Sequence, residues 1–366
     1  ASIIAIFSIS YLSDKTNTRY YVFSFLVMLF VSKLLIVLFF FADDIRRFAI
    51  WLLHKFTEHP VKPNAGEGSG ISRSVFLSWM GGALGTLFFG TMAYGFSNKY
   101  NYKIKRVNLH FPNLPDAFNG MKIVQISDIH SGSFSNKAAV NKGVDMILKE
   151  NADIILFTGD LVNNRAEEMN DYIDVFSRLK APMGVYSVLG NHDYGDYGEW
   201  HSEKEKQDNL EQLKNIQAQM GWRLLMNEHV ILEKGNRQIA LLGVENWSAM
   251  RNFSKHGKLN EAYAGTEKYP FKILMSHDPT HWDAEVRPKY PDIDLTLSGH
   301  THGMQFGVEL PHFRWSPIKW VYKQWADLYE NKTQKIYVNR GFGFLGYPGR
   351  VGILPEITVL TLNPHP

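Results

Sequence analysis

The chain has 366 residues, enough for one large domain or two ordinary ones. A net charge of +3 with histidine neutral is too small to point to nucleic acid. With no cysteine, disulfides and thiolate metal sites are excluded, and the redox compartment is left open.

The opening ASIIAIFSISYL is a short apolar run, and residues 1–12 read as a partial membrane span. From Tyr20 to Ala42 the sequence YYVFSFLVMLFVSKLLIVLFFFA is apolar except for serines and Lys33, and about 20 such residues cross a bilayer core. Lys33 is read as a lysine whose stem snorkels rather than as an intramembrane functional charge. A second run, VFLSWMGGALGTLFFGTMAYG from Val75 to Gly95, is also long enough, and its small residues suit close helix packing. Between the spans, residues 43–74 read as an amphipathic linker. In DDIRRFAIWLLHKF, residues Ile45, Phe48, Trp51, Leu52 and Phe56 predict one apolar face lying on the membrane surface. Lysine and arginine are nearly balanced between that loop and the segments outside the two spans. The expected location is a bacterial inner membrane, with an extracytoplasmic catalytic side only slightly preferred.

Residues 1–102 are thus expected to form a membrane region, and residues 103–366 an α/β domain. In the latter, KIVQIS, a helix near Lys137 to Glu150, DIILFT, a helix near Glu167 to Leu179 and VYSVL read as parallel βαβ units. QIALLGV, KILMS, DLTLS, KIYVN and EITVLTL are further short strands. A helical insertion at Glu203 to Gln219 and an aromatic one near Phe313 to Tyr329 separate them.

Five strands give way to chemistry-bearing residues: Asp128 and His130, Asp160, Asn191 and His192, His277, and His300 and His302. Ligands of open α/β sheets bind outside the carboxyl ends of the strands, so these five endings are expected to converge. Carboxylate and amide oxygens with imidazole nitrogens suit manganese, iron, zinc or magnesium. Asp160 can bridge two ions, since a carboxylate has two oxygens. Two ions about 3.5–4 Å apart hold a hydroxide and stabilise the attacking and leaving oxygens of a phosphoryl displacement.

Asp128-Ile129-His130, Gly159-Asp160, Gly190-Asn191-His192-Asp193, His277 and Gly299-His300-Thr301-His302, in this order, resemble the calcineurin-like metallophosphoesterase family. SDIHSG, SHDP and the ending NRGFGFLGYPGRVGILPEITVLTL resemble its membrane-associated, YkuE-type branch. The resemblance spans roughly Lys103 to Leu362 and implies a four-layer α/β/β/α sandwich. It further implies Asp128, His130 and His302 on one divalent metal, and Asn191, His277 and His300 on a second, with Asp160 bridging. His192 would protonate the leaving oxygen or stabilise the transition state, oriented by Asp193; a plain turn residue is an equal reading of Asp193.

The substrate is left to the insertions. Arg251 and Lys255, with His256, lie in the loop RNFSKHGK, and Arg340 and Arg350 flank GFGFLGYPG; each is weighed as a phosphate contact against solvent exposure or structural pairing. Phe313, Trp315, Ile318, Trp320 and Trp325, interleaved with Arg314, Lys319 and Lys323, have the composition of a membrane-interface element, or form a buried cap over the sheet. The expectation is a membrane-anchored phosphoester hydrolase acting on a lipid or lipid-linked substrate. The alternatives are a UDP-2,3-diacylglucosamine pyrophosphatase and a non-catalytic metal-binding scaffold in a membrane complex.

Overall fold

A computed structural model of the chain describes residues 16–56, 72–311 and 313–364. They belong to two compact units, Ala1–Phe96 and Ser97–Pro366. The partial span expected at 1–12 and the linker tail at 57–71 lie outside the described residues.

The first unit is a pair of helices, α1 (Thr16–Phe56) and α2 (Arg73–Gly95). Both are long and apolar enough to cross a membrane. Helix α1 runs without a break for 41 residues, about 60 Å. The amphipathic segment is therefore a continuation of the span, not a separate surface helix. Asp43, where the apolar run stops, is accommodated within the helix: it is ion-paired to Arg46 at 3.0 Å and Arg47 at 2.7 Å, one turn on. Lys33 is exposed.

The two helices approach along Gly81 and Gly85. A Cβ at Gly85 would fall 2.8 Å from Cγ1 of Ile36 and 2.9 Å from the Ser32 carbonyl, so a larger residue there must push the helices apart. A Cβ at Gly81 would lie 3.2 Å from that of Phe39. In this cysteine-free chain, Phe39→Cys with Gly81→Cys is expected to cross-link on oxidation, because the two Cβ atoms need separate by only a few tenths of an ångström to reach the about 3.5–4.5 Å of a disulfide. Adding Gly85→Leu should suppress the cross-link, read as loss of the oxidised species on non-reducing gels.

The second unit holds two six-stranded sheets and a two-stranded ribbon. The first sheet has the order β1 (Lys103–His110), β14 (Glu356–Asn363), β2 (Met121–Ile126), β3 (Ile154–Phe157), β4 (Val185–Ser187), β5 (Arg223–Leu224). The second runs β12 (Asp327–Asn331), β13 (Gln334–Val338), β9 (Leu295–Ser298), β8 (Lys272–Met275), β7 (Arg237–Gly243), β6 (Glu228–Lys234). The ribbon is β10 (Val308–Leu310) with β11 (Phe313–Trp315).

Strands buried on both faces read as unbroken apolar runs, and here the period of two sorts each run between two cores. Ile123, Leu156, Leu241, Ile273 and Leu297 pack between the sheets. Val124, Ile126, Ile155 and Phe157 face the other way, against Val140 and Val144 of α3 (Lys137–Lys149) and Leu213 and Ile216 of α4 (Glu203–Gln219). Leu242, Leu274 and Val338 cover the far side of the second sheet beneath Leu259, Ala262 and Trp282. The domain is thus a four-layer α/β/β/α sandwich. Strands β2, β3 and β4 are mutually parallel, as are β7, β8, β9 and β13, so each group delivers its carboxyl ends to one edge.

Candidate metal centre

The strand endings interlock through their backbones. The Asp128 amide donates to the Gly159 carbonyl at 2.9 Å, the His130 amide to the Asp160 carbonyl at 3.1 Å, and the Gly299 amide to the His277 carbonyl at 2.9 Å. The two sheets are joined by Asp128, whose carboxylate oxygens each accept the His300 amide at 3.0 Å. Asp128, His130, Asp160, His300 and His302 all have positive φ, between 49° and 70°. This left-handed turn after the strand swings each side chain out of its sheet. Gly190 is required by the same crowding: a Cβ there would lie 2.2 Å from Oδ1 of Asp160.

Two groups of side chains result: Asp128, His130 and His302, and Asp160, His277 and His300, each with its ligand atoms within 4.8 Å of one another. Asn191 joins the second, its Oδ1 lying 2.8 Å from Nδ1 of His300. Oδ2 of Asp160 faces both groups, 3.1 Å from Nε2 of His277 and 3.5 Å from Nε2 of His130. All seven expected ligands are therefore brought together.

The outer ring nitrogens are held by the protein. Nδ1 of His277 donates to the Thr158 carbonyl at 2.7 Å, and Nδ1 of His130 to Oδ1 of Asn163 at 3.1 Å. Nε2 of His300 meets the Tyr322 hydroxyl at 2.7 Å, and the Asn191 amide nitrogen donates to the Tyr197 hydroxyl at 2.9 Å, turning Oδ1 inward. The inward atoms Nε2 of His130 and Nε2 of His302 are buried with no hydrogen-bond partner. Buried imidazole nitrogens with nothing to bond, facing two carboxylates, fit divalent cations.

The electrostatics agree with that fit. Burial pulls the His130 and His300 imidazoles down, keeping them neutral with a lone pair to give. Burial works against the Asp128 and Asp160 carboxylates, yet His302 and His277 respectively hold them below their ordinary range. Burial also opposes charge on His277, but the Asp160 carboxylate against its Nε2 outweighs it and raises the imidazole to about 10.

His192 lines a cavity of about 260 Å³ over the centre together with Phe253, Ile318, Tyr322 and Leu345. Its Nδ1 is 2.8 Å from the Asn163 carbonyl. Asp193 does not orient it. The Asp193 carboxylate accepts the backbone amides of Asp160, Leu161, Val162 and Gly190 at 2.8–3.3 Å, and so organises the loop that carries Asp160. Burial and the Asp160 charge push the Asp193 carboxyl up to about 7 against those donors.

The basic residues considered for substrate contact are not gathered at the centre. Arg251 and Lys255 are exposed, with Lys255 stacked over Trp247 at 4.8 Å; their loop reaches the site through Phe253, edge-on to His300 at 4.8 Å. Arg340 is buried and paired with Glu356, with Asp327 at 2.6 Å and with Glu309 at 3.0 Å. Arg350 is buried too, donating to the Arg340 carbonyl at 2.8 Å and touching Nδ1 of His302 at 3.3 Å. Structural pairing is what the structure shows for both. Sequence reasoning passed over Asn163, Asp278, Tyr197 and Tyr322. Asp278, adjacent to His277 in SHDP, is buried with Oδ2 unpartnered, 3.6 Å from Nε2 of His300.

A family described as calcineurin-like phosphoesterase matches residues 121–304, and one described as probable calcineurin-like phosphoesterase, transmembrane domain, matches residues 1–99. The chain is 30% identical over 303 residues to the uncharacterized metallophosphoesterase YkuE of Bacillus subtilis, covering 80% of this chain and 98% of that one. It is 28% identical over 270 residues to the transmembrane protein with metallophosphoesterase domain of Danio rerio, covering 71% of this chain. It spans 57% of the length of that relative. A metallophosphoesterase of Helicobacter pylori, uncharacterized, is 29% identical over 266 residues, covering 72% of this chain and 64% of its own. The chain belongs to the calcineurin-like phosphoesterase family and is a membrane-associated metallophosphoesterase.

Two outcomes are expected. A cation must displace the proton that the Asp160 carboxylate favours on His277, so apparent metal affinity should rise with pH up to about 10. The slope is about tenfold per pH unit for each proton displaced, measurable by calorimetry at several pH values. Arg340→Ala strands the buried Glu356 carboxylate and should cost about 3–5 kcal/mol, seen as a lowered unfolding midpoint.

Proposed function

We propose that the domain is a dinuclear metal-dependent phosphoester hydrolase whose substrate is a lipid or lipid-linked phosphoester. The observation that carries the first part is Oδ2 of Asp160, one oxygen within 3.5 Å of imidazole nitrogens from both ligand groups. In this reading Asp128, His130 and His302 hold one divalent ion, Asn191, His277 and His300 the other, and Asp160 lies between them. Such ions supply Lewis-acid charge and activate water when bound.

Hydrolysis forms a bond from a water oxygen to phosphorus and breaks the ester P–O bond, and the departing oxygen takes up a proton. In this reading His192 supplies it. Its Nδ1–H is committed to the Asn163 carbonyl, which leaves Nε2 as the proton-transferring atom. The transmembrane domain and the apolar wall of Phe253, Ile318 and Leu345 beside the ligands support a substrate with a lipid portion.

The test is phosphate release by the detergent-purified chain on a generic phosphodiester, a phosphomonoester, phosphatidate-type lipids and a UDP-linked lipid, with metal content measured in parallel. Wild type should carry two ions and turn over. His192→Ala should keep both ions and lose about 10²–10⁴-fold in kcat, and Asp160→Asn should lose metal and activity together. Two ions without turnover on any substrate would leave a scaffold, and no bound metal would sink the assignment. Preference for a soluble ester over every lipid would overturn the substrate class alone.

A further inference from the structure

Among the described residues of the second unit, seven large apolar side chains are classed as exposed, and six of them fall between Met304 and Val321. Their arrangement is not that of a soluble hairpin. In the ribbon, Val308 pairs with Trp315, Glu309 with Arg314 and Leu310 with Phe313. Paired residues share a face and successive residues alternate, so Val308, Leu310, Phe313 and Trp315 lie on one side, Glu309 and Arg314 on the other. The charged side is the anchored one: Glu309 pairs with Lys105 and Arg340, and Arg314 with Asp327. The apolar side is left outward, with Leu310 59% and Phe313 55% exposed. It continues through the edge-to-face pair Trp315–Trp320, at 5.8 Å, to Trp320, 72% exposed, and Val321, 58% exposed. Of the tryptophans expected to act together, Trp325 alone is buried, in a small cluster with Tyr322, Ala326 and Ile353.

We propose that this inverted ribbon and the Trp320–Val321 turn form a docking surface for an anionic lipid bilayer. Exposed apolar area of this kind marks an interaction site, and tryptophan flanked by lysine suits the headgroup region. Lys319 and Lys323 flank Trp320, are exposed, and have no ion-pair partner among the described residues; each attracts an anionic headgroup. A bilayer is the occupant this chain meets by necessity, since its first unit matches a transmembrane domain. The surface also adjoins the metal centre: Ile318 and Tyr322, on either side of Trp320, line the cavity over the ligands. A phosphoester held in the bilayer would then reach the centre without leaving it, a consequence that rests on the lipid-substrate reading, whereas the docking itself does not.

The absence of cysteine makes the test direct. Full-length Leu310→Cys, Trp320→Cys and, as a control on the exposed flank of α4, Lys204→Cys would each carry an environment-sensitive fluorophore. Each is reconstituted into phosphatidylcholine–phosphatidylglycerol vesicles containing headgroup-region nitroxide lipids. Labels at 310 and 320 are expected to be quenched several-fold more than the label at 204. In vesicles of phosphatidylcholine alone, or with Lys319→Glu and Lys323→Glu added, that excess should fall. Equal quenching at all three positions overturns the docking surface. Blue-shifted but unquenched labels at 310 and 320 would give the face to a protein contact and overturn it as well, and quenching indifferent to lipid charge overturns the choice of an anionic surface. None of these readings depends on turnover, so an inactive protein with quenched labels would fail only the functional proposal.

Discussion

Five of the seven candidate ligands hold a left-handed backbone that residues with a Cβ avoid. Such a conformation costs on the order of 1–3 kcal/mol at each position and persists only where the surroundings over-determine it. Here the surroundings are the strand ends themselves. β2, β3, β8 and β9 are locked in register by fully buried apolar residues, and their terminal amides and carbonyls bond across to one another before any side chain is considered. At these five positions the strain falls on the edge where imidazoles and carboxylates face one another, and the two sheets hold it in place.

That division explains which parts were legible. The ligands could be read because a parallel strand announces itself as a short apolar run, and a polar residue directly after one can only sit at its carboxyl end. The layers could be read for the same reason. The left-handed turns could not, because nothing in Asp128-Ile129-His130 distinguishes them from an ordinary strand exit. For Arg340 and Arg350 substrate contact and structural pairing weighed equally, because a glycine-rich neighbourhood fits a surface loop as well as a buried one. In the fold that loop passes beneath the ligands, and both guanidiniums are enclosed by carboxylates and carbonyls. The span was read as ending at Ala42 because the unbroken apolar run stops there, whereas the helix continues to Phe56 with Asp43 paired to Arg46 and Arg47 one turn on.

The residues that orient the ligands were harder still, because their relation to the ligands lies in loop geometry rather than in spacing. Asn163 shows this best. Its side chain holds Nδ1 of His130, and its carbonyl holds Nδ1 of His192. A single residue thereby fixes the tautomer of a ligand and of the proposed acid, while Asp193, adjacent to His192 in sequence, is spent on the backbone amides around Asp160. Of the two equal readings of Asp193, orientation of His192 and a loop-forming role, the hydrogen bonds favour the second. The turn after Asp160 supplies the partner of His192, three residues on.

The ribbon bearing the exposed apolar face is tied into the same construction. Glu309 is held by Arg340 at 3.0 Å, the Arg340 carbonyl accepts from Arg350 at 2.8 Å, and Arg350 rests against His302. A buried arginine that touches no substrate thus has a use that composition alone does not show. It satisfies the inward charge of a ribbon whose outward side is apolar, and through Arg350 it stands one residue from a candidate metal ligand. Charged groups are retained in an interior when every one is paired, and here the pairing also sets which side of the ribbon faces out. Reversing the ribbon by one residue would turn Glu309 and Arg314 to solvent, leaving Arg340 without one of its three acids and Asp327 without Arg314, so the apolar face is outward for an electrostatic reason.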